Sequence, residues 1–186
     1  MEIEIEMTEQ DEMREKVMGG CAQAALETFR EGLKEGKVDS HQCYGFTLGM
    51  DEEKNPSMEL IGSHGDVYDF LENMPAYYSA ANQVAGSFML GIFSQGWGAP
   101  IKDGEDEDNF TPPSENENRR RVQLVHMISA TGHTVSAVKI DGDDDIMINF
   151  NSGGGAMAEG IARCYARCMA TNEIYNTNNE NEGEQS

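Results

Sequence analysis

Apolar residues recur along the chain at two spacings, and each spacing predicts its own kind of element. Residues 8–35 carry apolar side chains three or four positions apart, as an amphipathic helix does, and residues 152–169 repeat that spacing. The first stripe consists of Met13, Val17, Cys21, Ala24, Ala25, Phe29 and Leu33. Alternation, or a short apolar run, predicts strands at residues 42–50, 57–62, 87–93, 119–130, 133–140 and 145–150. Residues 63–86 predict a further helical segment that Pro75 interrupts.

This order of elements predicts an α+β fold. Runs of antiparallel strands with helices between them favour a single, mostly antiparallel sheet of about five to six strands with helices packed on it. Residues 8–171 form one domain in this interpretation. Residues 1–7 are either flexible or a short strand, and residues 172–186 are too polar to bury a face, which predicts a disordered tail.

Short signals mark the ends and the packing of the first helix. Thr8 followed by Asp11 resembles a capping box, and Gly36 is well placed to end the helix. Gly19 and Gly20 lie inside it, where glycine is unfavourable. We therefore expect them to serve a close contact between helix and sheet.

The composition indicates a soluble, cytoplasmic protein without a membrane partner. Only 38% of the residues are hydrophobic, and no apolar run approaches the roughly 18 residues that a membrane span needs. The first residues are acidic and lack the basic flank and apolar run of a signal peptide. The four cysteines form no CxxC pair, which fits a reducing compartment.

The charge balance limits the class of partner. Thirty-four acidic residues against 13 basic ones give a formal net charge of −21, which repels nucleic acid, so no nucleic-acid partner is expected. A basic protein surface, cations or no specific partner remain. A DNA mimic is an alternative, although it needs carboxylates at phosphate-like spacing and many of these lie in predicted loops and tails.

His64 is a candidate for chemistry because it lies beside Asp66 between a predicted strand and a helix. A histidine next to a carboxylate at a helix start can act as a general base, yet the same residues also make an ordinary turn. Either Ser63 or Asp66 could cap that helix. His126 falls on the apolar face of its strand, where a hydrogen-bonded core histidine is expected.

Metal, cofactor and nucleophile motifs are not recognised. The acidic runs at residues 103–108 and 141–145 fail the spacing of a calcium-binding loop. The glycines of residues 153–155 lack the lysine of a phosphate-binding loop, and no serine lies in a GxSxG elbow. No metal and no cofactor are therefore predicted, and an enzyme is not favoured.

Residues 96–125 carry the most specific pattern. Trp97, the only tryptophan, follows the most apolar strand, and Arg119 and Arg121 share one face of the next strand while Arg120 takes the other. Residues 98–118 between them form an acidic loop. This loop is either an insert whose acids pair with the arginines or a recognition loop. We expect that deleting residues 103–109 leaves the fold intact.

At these residues the chain resembles a set of uncharacterised small proteins of actinobacteria and their phages. The shared features are an apolar strand ending in Trp97, a loop of variable length, Pro113-Ser114, then the arginines and an alternating strand. The resemblance covers roughly residues 86–150. It implies a setting and, because these proteins have no established activity, no mechanism.

The leading hypothesis is a small acidic interaction protein, of phage origin if the resemblance holds, that binds a host or viral protein. The alternatives are a DNA mimic that inhibits a basic protein, and a small-ligand-binding protein or enzyme. For the latter, the predicted binding residues are Trp97, Arg119, Arg121, His64 and Asp66. The sequence does not set the oligomeric state.

Overall fold

The computed structural model of the protein describes residues 8–98, 115–150 and 156–183. Its helices are α1 (Glu9–Lys34), α2 (Val67–Asn73), α3 (Tyr78–Ala85) and α4 (Ala156–Gly183). A single 3-10 turn at Met74–Ala76, which contains Pro75, separates α2 from α3, as the proline predicts. The strands are β1 (Cys43–Met50), β2 (Pro56–His64), β3 (Met89–Gly98), β4 (Arg120–Ser129), β5 (Thr134–Ile140) and β6 (Ile146–Phe150).

The strands form one antiparallel sheet in the order β2-β1-β3-β4-β5-β6. The predicted α+β fold with a single sheet is confirmed. Neighbouring strands are consecutive in the chain except for β1 and β3, whose connection contains β2, α2 and α3. This insertion places β2 at one edge, while β4, β5 and β6 continue as a meander to the other edge.

Helices cover both faces of the sheet because side chains alternate along each strand. On one face α1 packs over Phe46, Phe93, Val125, Met127, Val135 and Ala137. On the other face α2, α3 and α4 pack over Leu90, Ile92 and Ile128. The sheet therefore separates two apolar cores, and a side chain's position in a strand decides which core it joins.

The first helix begins and ends where its signals predict. Thr8 and Asp11 form both hydrogen bonds of the capping box, and Gly36 has a φ of 70° just beyond the helix, the left-handed region that favours glycine. A side chain at Gly19 would meet the ring of Phe150 at 3.0 Å, so the predicted close contact exists there, whereas Gly20 faces open space.

The predicted apolar stripe of α1 is wrong in its first half. Met13 and Val17 are 63% and 54% exposed, and the buried positions are Met18, Gly19, Ala22, Ala25, Leu26 and Phe29. Burial follows the close approach of Gly19 to β6. The contact face of the helix therefore runs through Met18 and Gly19, and Met13 and Val17 lie outside it.

The last helix differs from the prediction as well. The polar residues 172–183, expected to be disordered, continue α4 as far as Gly183. Tyr175 stacks on Tyr78 of α3 with ring centroids 4.5 Å apart, and the Tyr78 hydroxyl donates to Asn176 Oδ1 at 3.4 Å. Contacts with α3 thus extend along a stretch that has too few apolar residues to predict them.

Four stretches lie outside the described residues: residues 1–7, residues 99–114 of the acidic loop, residues 151–155 with their glycine run, and residues 184–186 at the end of the predicted tail. Within the helices that the structure describes, none combines the length and the apolar character needed to cross a bilayer.

Candidate functional site

Trp97 lies within β3, which continues beyond the apolar run instead of ending before the tryptophan. Its partner across the sheet is Arg121 of β4. The Arg121 guanidinium carbon is 5.1 Å from the indole ring centroid, and that of Arg119 is 4.8 Å from it. The structure therefore brings together three of the predicted binding residues through cation–π contacts.

Arg120 has a different role, as the alternation along the strand predicts. Its side chain forms an ion pair with Asp143 in the turn between β5 and β6. The arginine triplet is thus divided between two surfaces, and Arg119 and Arg121 remain with Trp97.

A concave surface of about 300 Å³ opens beside Arg121, between the end of α1 and the strands β3, β4 and β5. We call it the cationic cleft. It is lined by Arg30, Leu33, Lys34, Gln95, Arg121, Gln123, Lys139 and Asp141. Because β3 and β4 run past the end of the apolar core, their outward continuation carries polar residues on the α1 face.

Side-chain hydrogen bonds hold the floor of the cationic cleft. Arg30 Nε donates to Gln123 Oε1 at 3.1 Å, and Gln123 Nε2 donates to Gln95 Oε1 at 3.4 Å. Lys139 Nζ donates to the backbone carbonyl of Asp143. The guanidinium of Arg30 is therefore oriented by neutral amides, which leave its charge uncompensated.

The charge of the cleft is opposite to that of the chain. Four cations, Arg30, Lys34, Arg121 and Lys139, line it together with one carboxylate, Asp141. None of these four cations forms an ion pair with a described residue. Arg30 and Lys34 are also four apart on one helix face, a like-charge spacing that disfavours the helix slightly. The arrangement can accept an anionic group.

Asp66 serves the fold. Its carboxylate accepts hydrogen bonds from the backbone N–H groups of Tyr68 and Asp69, both at 2.9 Å, which makes it the N-cap of α2. His64 Nδ1 lies 3.0 Å from the backbone N of Asp66 and can accept its hydrogen bond. Ser63, the other capping candidate, is the penultimate residue of β2.

The sheet separates His64 from Trp97, so a pocket that joins them does not form. His64 pairs with Cys43, which belongs to the core under α2–α4. Trp97 shares its face with Phe93, which belongs to the core under α1. The predicted grouping of His64 with the tryptophan and the arginines is therefore wrong. A position near the end of a strand does not show on which face of the sheet the side chain lies.

Sequence reasoning missed three of the four cations of the cleft, Arg30, Lys34 and Lys139. They come from α1 and β5, far from Trp97 in the chain, and only the register of β4 with β5 brings Lys139 opposite Gln123. One feature of the sequence could have pointed to Arg30 and Lys34. Basic residues are scarce, yet two of the 13 lie one turn apart at the end of the first helix.

His126 is buried, as predicted, but the expected hydrogen bond is missing at its Nε2 atom. It is 4% exposed, and its Nε2 has no partner among the described residues. Burial lowers the pKa of His126 below its ordinary value of 6.5, because the charged imidazolium loses its hydration. The side chain is therefore neutral at physiological pH and belongs to the core.

Two further findings bear on the identity of the protein. Among residues 8–98, 115–150 and 156–183, no three His, Cys, Asp or Glu side chains come together as a metal site requires. The resemblance to small actinobacterial and phage proteins stays a prediction. Comparisons of the chain with models of known protein families, with curated proteins and with solved structures find no match.

Proposed function

We propose that the protein is a non-enzymatic interaction protein that binds an acidic segment of a partner protein at the cationic cleft. The observation that carries this proposal is the convergence of Arg30, Lys34, Arg121 and Lys139 on one concave surface of a chain with a net charge of −21. Four positive charges with only one carboxylate, Asp141, among the described lining residues repel one another, and an incoming carboxylate relieves that repulsion.

The overall negative charge does not cancel this local attraction. At physiological ionic strength the screening length is about 8 Å, so the potential inside the cleft is set mainly by the nearest charges. The distant carboxylates slow the approach of an acidic partner and restrict binding to a segment that reaches the cations directly. Specificity then comes from the difference in charge between the cationic cleft and the acidic surface around it.

A protein partner fits better than a small anion because of the neighbouring side chains. Trp97 is 48% exposed at the edge of the cationic cleft, with Arg119 and Arg121 against its ring. Tryptophan and arginine are the residues that contribute most to protein–protein binding energy. Leu33 is the one aliphatic residue among those lining the cleft, whereas small-molecule sites are lined mainly by hydrophobic and aromatic residues.

The whole-chain charge led us to expect a basic partner, and the cleft makes an acidic segment the better expectation. In the proposed setting the protein is cytoplasmic, and the partner is a host or viral protein if the phage resemblance holds. The DNA-mimic alternative predicts instead a basic partner that duplex DNA displaces.

Trp97 provides the test because it is the only tryptophan in the chain. Acetylated hexaglutamate amide is titrated into the protein while the emission of Trp97 is followed, with hexaglutamine of the same length as control. We expect a change in emission and a dissociation constant roughly tenfold lower for hexaglutamate. Equal affinity for the two peptides, or no response to either up to millimolar concentration, contradicts the proposal.

A further inference from the structure

A second concave region lies on the opposite face of the sheet, between β2 and the segment from α2 to α3. Its volume is about 450 Å³. We call it the His64 cleft, after the residue that sequence analysis singled out. Its other walls include Asp69, Phe70, Asn73, Met74 and Gln83. The volume falls within the range of sites that bind small organic molecules.

The floor of the His64 cleft is rigid and apolar. Phe70 and Met74 are 9% and 4% exposed and belong to the core under α2–α4. The ring of Phe70 is fixed against β1, since a side-chain carbon at Gly45 would lie only 2.4 Å from it. A ligand with an apolar or aromatic body can pack on this floor without moving the core.

Two side-chain amide oxygens and one carboxylate of the His64 cleft are available as hydrogen-bond acceptors. Gln83 Nε2 donates to Thr47 Oγ1 at 3.0 Å and lies 3.4 Å from the carbonyl of Glu59. Asn73 Nδ2 donates to the Asp69 carbonyl at 2.8 Å. Both amide nitrogens are engaged, whereas their carbonyl oxygens and the Asp69 carboxylate have no partner among the described residues.

The charge of this cleft is negative. Among the described residues no lysine or arginine lines it, and Asp69 contributes a carboxylate. Arg167 of α4, which reaches α2, is engaged with Glu72 at 2.9 Å. A ligand that matches an apolar floor, free acceptors and an unpaired carboxylate carries a positively charged donor group on an apolar body.

We infer that the His64 cleft binds a small organic cation, an amine, amidine or guanidine carried on an apolar or aromatic body. The cationic head donates to Asp69 and to the amide oxygens of Asn73 and Gln83, and the body packs on Phe70 and Met74. This site is independent of the cationic cleft, because the sheet separates the two and their charges are opposite.

Three nearly isosteric probes test the inference: benzamidine, benzamide and benzoate. Titration followed by amide chemical shifts is expected to move the signals of β2, α2 and α3 with benzamidine. We expect benzamide to bind about tenfold more weakly and benzoate not to bind. Equal affinity for benzamidine and benzamide, or shifts confined to other parts of the chain, would overturn the inference.

Variants distinguish binding in the His64 cleft from a general attraction of cations to an acidic protein. Asp69→Asn should weaken benzamidine binding about five- to tenfold, whereas Asp144→Asn, which removes the same charge from an exposed turn, should leave it within about twofold. Ser79→Phe, at an exposed position of α3 beside the cleft, should abolish binding with an unchanged unfolding midpoint. Equal effects of the two Asp→Asn variants contradict the inference.

A fourth probe distinguishes a free ligand from a partner's side chain. N-acetylarginine amide carries a guanidinium, a cationic donor comparable to the amidinium, on a polar peptide, and we expect it to bind more weakly than benzamidine. Binding of the arginine compound without binding of benzamidine would assign the site to a protein segment and overturn the small-ligand inference.

Discussion

Trp97 and Arg121 lie directly opposite each other on β3 and β4, and the guanidinium of Arg121 contacts the face of the indole ring. They end a series of cross-strand pairs on the α1 face that runs from buried to exposed: Phe93 with Val125, Gln95 with Gln123, Trp97 with Arg121. The sheet thus continues beyond its apolar core, and the continuation forms the edge of the cationic cleft.

The contact between Arg121 and Trp97 predicts the accessibility of the indole ring. In an Arg121→Gln variant the ring loses one of its two covering guanidinium groups, so acrylamide should quench its fluorescence more efficiently. The free energy of unfolding should fall by no more than about 0.5–1 kcal/mol, the worth of an exposed cation–π contact. Arg163→Gln on α4 removes the same charge from a distant, 68% exposed side chain and should leave quenching unchanged. Equal quenching in both variants would contradict the contact between Arg121 and Trp97.

The packing around Gly91 in β3 leaves no room for a side chain. A side-chain carbon at this position would lie 2.3 Å from the ring of Phe46, which is fully buried. Gly91→Ala should therefore lower the free energy of unfolding by about 1–3 kcal/mol, as overpacking does. Gly96→Ala in the same strand faces open space and should be neutral or slightly stabilising. Urea unfolding of the two variants gives the comparison, and similar losses in both would contradict it.

His126 predicts a loss of stability in mild acid. Because burial lowers its pKa in the folded protein, the unfolded chain takes up a proton below about pH 6.5 while the folded protein resists it. The free energy of unfolding should be constant for this group above about pH 7.5. It should then fall by up to about 1.4 kcal/mol per pH unit between pH 6.5 and the folded-state pKa.

A His126→Leu variant isolates this contribution. It should show a smaller loss of stability between about pH 7.5 and pH 5.5 than the wild-type chain. At the higher pH it should be at least as stable, since Nε2 no longer lies buried without a partner. A pH dependence identical to that of the wild type would show that His126 is not the group responsible.

Residues 103–109 predict a tolerated deletion. The segment consists of acidic residues, one glycine and one asparagine, so it has no apolar side chain to contribute to a core. Removing it should change the free energy of unfolding by less than about 1 kcal/mol, because loop-closure entropy depends weakly on length. Thermal unfolding measures this, and a chain that no longer unfolds cooperatively would contradict it.

The elements of the fold were predictable from sequence where a local signal specifies them. Thr8 with Asp11 fixes the start of α1 through hydrogen bonds within one turn, and Gly36 fixes its end through its backbone conformation. The buried face of α1 was not predictable in its first half. Helical spacing predicts an apolar band. Which part of the helix packs on the sheet, however, depends on the contact between Gly19 and Phe150, which is more than a hundred residues away in the chain.

The candidate site was predictable only in its local part. Trp97, Arg119 and Arg121 flank the connection between two strands that pair with each other, so sequence alone could place them together. The contributions of Arg30, Lys34 and Lys139 depend on how α1 lies over the sheet. His64 was wrongly grouped with Trp97 and the arginines, because the pattern of β2 does not alternate clearly enough to tell its two faces apart.

The central claim is that the cationic cleft recognises acidic segments, and the affinity of hexaglutamate for two matched double variants tests it most directly. Lys34→Gln with Lys139→Gln removes two charges from the cleft. Lys37→Gln with Arg163→Gln removes two from exposed positions outside its lining. Calorimetric titration at about 0.15 M ionic strength should show a loss of roughly tenfold or more for the first pair and less than about twofold for the second. Equal losses in the two double variants would contradict the claim.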